Sequence, residues 1–181
     1  MMDALTWGQI ITRILWQLLP VWGALVVTFG LSIAFKRRLG LYGRIFDSTV
    51  GMIGFALVMF WVFTAFFADL IITHDPYSQV SGMKNILPGS PVKNVKDGVY
   101  QWYLLGGDHL ARDVFSRAIM GAREVLIIAP FATVVAFMVG ITLGLPAGYF
   151  GGKLDTALSF IANLVLAFPV ILLFYLLVTP E

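Results

Sequence analysis

The amino-acid sequence predicts an all-α membrane protein, and three observations carry that prediction. Of the 181 residues, 59% are hydrophobic and 12% charged, with a mean hydropathy of +0.89; one soluble core of this size cannot hide so much apolar surface. Four runs are apolar over about the twenty residues that cross a hydrocarbon layer roughly 30 Å thick, and a single span there must be a helix, which satisfies its own backbone. The cations gather between these runs rather than inside them. The net charge of +2 is spread along loops, which argues against a nucleic-acid-binding face. With no cysteine in the chain, disulfides and thiolate sites are excluded.

The first run, about Trp16 to Phe35, follows Asp3 and Arg13 instead of a basic leader and lacks a small-residue cleavage site, so it reads as an uncleaved anchor. Lys36, Arg37, Arg38 and Arg44 then form the densest positive cluster in the chain, which predicts a cytoplasmic linker. The second run is Val50 to Ile72. Counting onward puts the amino terminus and about Thr73 to Glu124 outside, Lys153 and Asp155 inside, and the carboxyl terminus outside.

The segment from Thr73 to about Tyr100 is broken by Asp75-Pro76, Ser81-Gly82, Pro88-Gly89-Ser90-Pro91 and Asp97-Gly98 and is predicted to be a loop. After Gly106-Gly107 the pattern changes. Asp108 is placed as an N-cap, Leu110, Val114 and Ala118 or Ile119 recur at helical spacing, and Asp113 and Arg117 stand four apart. A short amphipathic helix at the outer membrane face is expected, leading into the third run with a bend at Gly121. On spacing alone, Asp108, Arg112, Asp113 and Arg117 also admit a plain solvated face with one cap and one exposed ion pair.

The third run, Val125 to Gly148, holds Pro130 and Pro146 near its ends, and Gly140, Gly144 and Gly148 recur every four residues. That spacing permits close helix packing in lipid, although it also arises by chance. The fourth run, Ala157 to Val178, contains Pro169, which removes one backbone bond and favours a kink. Asn163 is the one amide well inside a span; packing against another helix and lining a pathway both remain open for it. Apart from Asp69 near the end of the second run, no span carries a charged side chain, so coupling to protons or sodium lacks its usual groups.

Enzyme chemistry finds no foothold. His74-Asp75 and Asp108-His109 are the only His-carboxylate neighbours, and adjacent side chains point apart, so neither forms a metal or acid-base site. The sequence offers no second acid near either histidine, no phosphate loop and no nucleophile elbow.

The stretch Gly106-Gly107-Asp108-His109-Leu110-Ala111-Arg112-Asp113-Val114-Phe115-Ser116-Arg117, then Gly121-Ala122-Arg123 and the turn Ala147-Gly148-Tyr149-Phe150-Gly151-Gly152, resembles the signature of C-type permease subunits in dipeptide, oligopeptide and nickel ABC importers. The resemblance runs from about Ile45 to the last residue, with Asp155 and Ala167-Phe168-Pro169 where that family has them. Gly107 stands where Thr is usual and Ala111 where Gly is usual, both small for small. The resemblance implies an architectural or gating role at the outer face for Gly106, Asp108, Arg112, Asp113, Ser116, Arg117, Gly121 and Arg123. It implies a cytoplasmic turn at Gly148, Gly151, Gly152 and Asp155, and a pathway-forming helix around Pro169.

It further implies a B-type permease partner, two ATPase subunits that use the ATP, a periplasmic peptide-binding protein, alternating access, and the inner membrane of a Gram-negative bacterium. No cofactor is expected in this chain. The sequence divides into an anchor span and basic linker (1–44), a permease span with its external loop (45–105), and the start of the transmembrane permease domain (106–181). Such permeases carry further spans and an ATPase-seating Glu-Ala-Ala loop beyond the point where this sequence stops, so it reads as an amino-terminal part that cannot couple ATP hydrolysis by itself. Composition and topology alone fit a non-transporting four-span scaffold equally well.

Overall fold

The computed structural model describes residues 3–38, 40, 42–92, 100–167 and 169–178. Lys93, Lys96, the Asp97-Gly98 turn and Phe168 lie outside the described residues. Two units divide the chain, Met1–Ile128 and Ala129–Glu181.

In the first unit, α1 (Trp7–Gln17) precedes α2 (Leu19–Ala34), and the two meet at 55°. The first apolar run is thus α2, while α1 was not predicted. Its signals are present: the Thr6 N–H donates to Gln9 Oε1 at 2.9 Å in a capping box, Ile10 and Ile14 stand four apart, and Pro20 opens α2. Eleven residues are too few to span, so a search for apolar twenties passes over them. Two 3-10 turns, Lys36–Arg38 and Tyr42–Asp47, lead to α3 (Thr49–Phe66), whose cap is Ser48, the Oγ accepting from the Gly51 N–H at 3.4 Å. A single turn, α4 (Ala68–Ile71), follows a break at Phe67.

The described residues 73–92 and 100–113 carry more order than a plain loop. Strands β1 (Ser90–Pro91) and β2 (Trp102–Tyr103) pair antiparallel, Ser90 opposite Tyr103, and Met83, Tyr103 and Ala111 form a small buried core flanked by Val80, Ile86 and Val92. A second core joins Leu18, Val21, Ala68, Ile71, Leu104, Phe115 and Ile119. The amino-terminal segment is tied to the hairpin: the Leu5 N–H donates to Gly89 O at 2.9 Å, the Trp102 indole N–H to Asp3 O at 3.4 Å, and the Arg13 guanidinium lies 4.2 Å above the Trp102 ring. Both therefore occupy one end of the α2–α3 pair, and the basic 3-10 turns occupy the other.

Helix α5 (Val114–Phe150) runs unbroken for 37 residues through Gly121, Pro130 and Pro146. This corrects one expectation: no separate amphipathic helix starts at Asp108, because α5 begins at Val114. Leu110 belongs to the preceding loop, while Val114, Ala118 and Ile119 are the first turns of α5.

In the second unit, α5 ends where Gly151 (φ +60°) and Gly152 (φ +61°) adopt left-handed backbone, the conformation that terminates helices and suits glycine; the Gly151 N–H still donates to Ala147 O at 2.9 Å. Then come α6 (Gly152–Ala167) and α7 (Val170–Val178). The kink expected at Pro169 is a full break, since α6 stops at Ala167 and Pro169 O accepts from the Leu172 and Leu173 N–H groups to start α7. Among the described residues of this unit only Ala147 is buried.

Two helices, α3 and α5, are individually long and apolar enough to cross a membrane, and the pairs α1–α2 and α6–α7 raise the number to four.

Candidate functional site

The residues from Gly106 to Ser116 close into a ring held by its own backbone. Gly106 is buried with φ +81°, and a Cβ there would press on Ile86 O. At Gly107 a Cβ would run into the Met83 carbonyl. Glycine is therefore required at 106 by both conformation and space, and at 107 by space. The Val114 N–H donates to Gly106 O at 3.1 Å and the Asp108 N–H to Arg112 O at 3.0 Å, closing the loop onto the start of α5.

Asp108 is the internal cap of this ring, not the cap of a helix. Its Oδ1 accepts from the Leu110 N–H at 2.8 Å and the Arg112 N–H at 3.0 Å; its Oδ2 accepts from Arg112 Nε at 2.8 Å and lies 2.8 Å from Arg112 Nη2 and 3.6 Å from Arg117 Nη1. Partial burial alone would raise its pKa, but the two amides and the Arg112 guanidinium outweigh that and hold it at about 2. Arg117 consequently leans toward Asp108, and the expected Asp113–Arg117 surface pair does not form.

Asp113 is fully buried and caps α5 itself. Its Oδ2 accepts from the Ser116 hydroxyl at 2.6 Å, the Ser116 N–H at 3.1 Å and the Thr73 hydroxyl at 3.0 Å; Oδ1 accepts from the Phe115 N–H at 3.3 Å. His74 Nδ1 lies 3.5 Å from the same carboxylate, and His74 Nε2 donates to Tyr100 O at 2.8 Å, because a carbonyl can only accept. Burial would raise the Asp113 pKa, yet His74 and the two Ser116 donors hold it below the ordinary carboxylate value. Space thus supplies His74 with the acid that the sequence order did not. Ser116 Oγ also accepts the N–H groups of Thr73 at 3.1 Å and His74 at 3.0 Å, so the end of α4 is bound to the start of α5.

A second tie lies two turns further along α5. Arg123 Nε donates to Ala65 O at 3.0 Å, and its two Nη groups fork onto Asp69 at 3.0 and 2.8 Å. Beneath the ring, the Tyr103 hydroxyl donates to Ala111 O at 3.3 Å, and burial first, then the Asp113 and Asp108 charges, raise its pKa to about 12. Gly121 lines a shallow cleft with Pro76, Tyr77, Arg117, Met120 and Glu124, where the Tyr77 hydroxyl donates to Glu124 at 2.7 Å.

Sequence reasoning missed Thr73, His74, Tyr103, Met83 and Asp69, each of which meets the signature across 26 or more positions or through a backbone carbonyl. It also took Ala111 for a neutral exchange, whereas Ala111 adopts φ +63°, a conformation natural to glycine. The remaining predicted residues lie in the second unit. Gly140, Gly144 and Gly148 face open space in this chain, and Asp155, Asn163 and Pro169 are exposed. Among the described residues no cluster of His, Cys, Asp or Glu is placed to hold a metal ion. The hydroxyls and carboxylates of the ring are committed to hydrogen bonds, and these tie α3, α4 and α5 together at one end.

Apolar helices of spanning length with a polar clasp at one end define a multi-pass integral membrane protein. Comparison with curated proteins narrows the class. The chain is 35% identical over 124 residues to the dipeptide transport system permease protein DppC of Alkalihalophilus pseudofirmus, covering 68% of this chain and 37% of that protein. It is 32% identical over 143 residues to the di/tripeptide permease DppC of Pseudomonas aeruginosa, covering 78% and 46%, and 43% identical over 79 residues to the glutathione transport permease GsiD of Pectobacterium atrosepticum, covering 44% and 26%. No family profile and no solved structure matches. The chain belongs with the C-type permease subunits of peptide ABC transport systems. It spans about a quarter to just under half the length of these relatives.

Proposed function

We propose that this chain forms part of the translocation pathway of an ATP-driven peptide importer in a bacterial inner membrane, working with a B-type permease, two ATPase subunits that consume the ATP, and a peptide-binding protein outside. It performs no catalysis of its own. The observation that carries this reading is the clasp: the residues of the permease signature interlock the ends of α3, α4 and α5, so these helices move as one piece at that end. Alternating access by rocking of rigid bundles needs such a piece, because a loose helix end would dissipate the motion. The rim of the ring, with half-buried Arg112 and Arg117 and exposed His109, is where a binding protein would rest.

The test is binding of a peptide-loaded binding protein to the chain reconstituted with its partner permease in nanodiscs. Saturable binding that weakens at least tenfold when Asp108 and Arg112 are both replaced by Ala supports the reading. Stable assembly with the partner permease but no binding, in the unaltered chain, would overturn it in favour of the scaffold alternative.

A further inference from the structure

The basic turn between α2 and α3 is built far more firmly than a sidedness signal requires. Gly43 lets the second 3-10 turn press against the Lys36 carbonyl, and Gly51 lets α3 pack against the Ile45 carbonyl; a Cβ at either would collide with backbone. Phe29, Tyr42, Phe46 and Phe55 interlock in an aromatic box with ring centroids 5.2 to 5.7 Å apart. The Tyr42 hydroxyl and buried Ser32 Oγ are hydrogen-bonded at 2.9 Å. Lys36 is spent inside this knot, on Asp47 and on Phe46 O at 3.3 Å. Arg37, Arg38 and Arg44 are left exposed. The close approach of Gly43 to the Lys36 carbonyl brings the backbone of their chain neighbours Arg44 and Arg37 near each other.

We propose that Arg37, Arg38 and Arg44 form a site for the phosphate headgroup of an anionic phospholipid. Three observations select lipid over a protein partner. The arginines lie a few residues from the end of α2 at Ala34 and the start of α3 at Thr49, which puts them at headgroup depth. The side chains flanking them, Ile33, Phe35, Val50 and Ile53, are exposed and apolar, as acyl chains beside the headgroup require. The connection returns from α2 to α3 within 14 residues, 35–48, too short to project far toward a protein. Guanidinium forks match phosphate oxygens two at a time, and each cation close to an anionic lipid surface contributes about 1 kcal/mol, roughly fivefold in affinity. The site depends neither on transport nor on the proposed partners.

Native mass spectrometry of the full chain, released from micelles carrying equal phosphatidylglycerol and phosphatidylcholine, reads lipid retention directly. The expected result is a phosphatidylglycerol preference of about tenfold or more. It should fall to near unity in Arg37→Gln/Arg38→Gln/Arg44→Gln and survive, weakened, in the matching Arg→Lys triple, which keeps charge and guards against a folding artefact. Lys84→Gln on the hairpin side should leave the preference intact. Equal retention of both lipids in the unaltered chain overturns the proposal, as does an undiminished preference in the Gln triple. Loss of bound lipid to millimolar inorganic phosphate would also overturn it, by assigning the site to soluble anions.

Discussion

Replacing Asp113 by Ala removes the cap of α5 and leaves several buried donors facing one another. The lost cap costs about 1 kcal/mol. The Thr73 and Ser116 hydroxyls, which donate to Oδ2 at 3.0 and 2.6 Å, lose their acceptor; they can turn toward each other across 3.3 Å, so only part of the usual 1–3 kcal/mol per orphaned group is expected. His74, 3.5 Å away, keeps its contacts to Thr73 Oγ1 at 3.1 Å and Tyr100 O at 2.8 Å and adds little to the loss. These contributions overlap, because the same contacts recur in each, and about 2–3 kcal/mol is the expected loss for the clasp. The amides of Thr73 and His74, bound to Ser116 Oγ, report it. Hydrogen exchange in nanodiscs should speed up there by about thirty- to a hundred-and-fifty-fold, with Ser116→Ala reproducing much of the change. An increase of less than about threefold in Asp113→Ala would refute the account, since it would mean these donors were never committed to the carboxylate.

Three further outcomes follow from the same geometry. Ala111→Gly should stabilise the loop by about 1 kcal/mol, read as slower exchange at the Val80 amide that donates to Ala111 O, because Gly adopts the left-handed backbone without the Cβ clash. Asp108→Asn should lower the melting temperature at pH 6 and lose that effect as pH falls toward 2. The folded pKa near 2 lies below the unfolded value of about 3.9, so the carboxylate stabilises above pH 4 and stops doing so as it protonates in the native state. Arg123→Lys retains charge but not the fork onto Asp69 with the Ala65 O contact; exchange in residues 65–71 should rise by a few-fold, while Thr73 and His74 stay protected.

The fold class was legible because bilayer thickness and backbone hydrogen bonding leave few solutions for apolar twenties. Where one run corresponds to one helix, as in α2, its ends fall within three residues of the predicted ones, while the second run starts one residue from α3 and ends past it, beyond the break at Phe67 and α4. Helix α1 and the β1–β2 pairing were not legible by the same rule, since both are held by tertiary contacts: Leu5 to Gly89, Arg13 to Trp102, Gly89 to Tyr103. The site shows the same division. Asp108 was visible only as a helix cap, whereas it pairs with Arg112; spacing suggested an Asp113–Arg117 pair instead and could not say that Asp113 is buried beneath Thr73 and His74, some 40 positions earlier.

The two aspartates of the ring therefore do different work, and the difference bears on what the clasp is for. Asp108 faces Arg112 and Arg117 at the rim, where most of its bonds are to its own loop and its ion pairs are partly hydrated; such a group shapes a surface but contributes little to holding helices. Asp113 touches no solvent, and its partners Thr73, His74 and Ser116 bridge α4 to α5. A perturbation at Asp108 should thus alter what docks on the rim while the helices stay joined, and one at Asp113 should part the helix ends while the rim keeps its Asp108–Arg112 pairing. If docking and clasping failed together in both variants, the ring would be one cooperative element, and the rim would have no shape of its own apart from the helix ends beneath it.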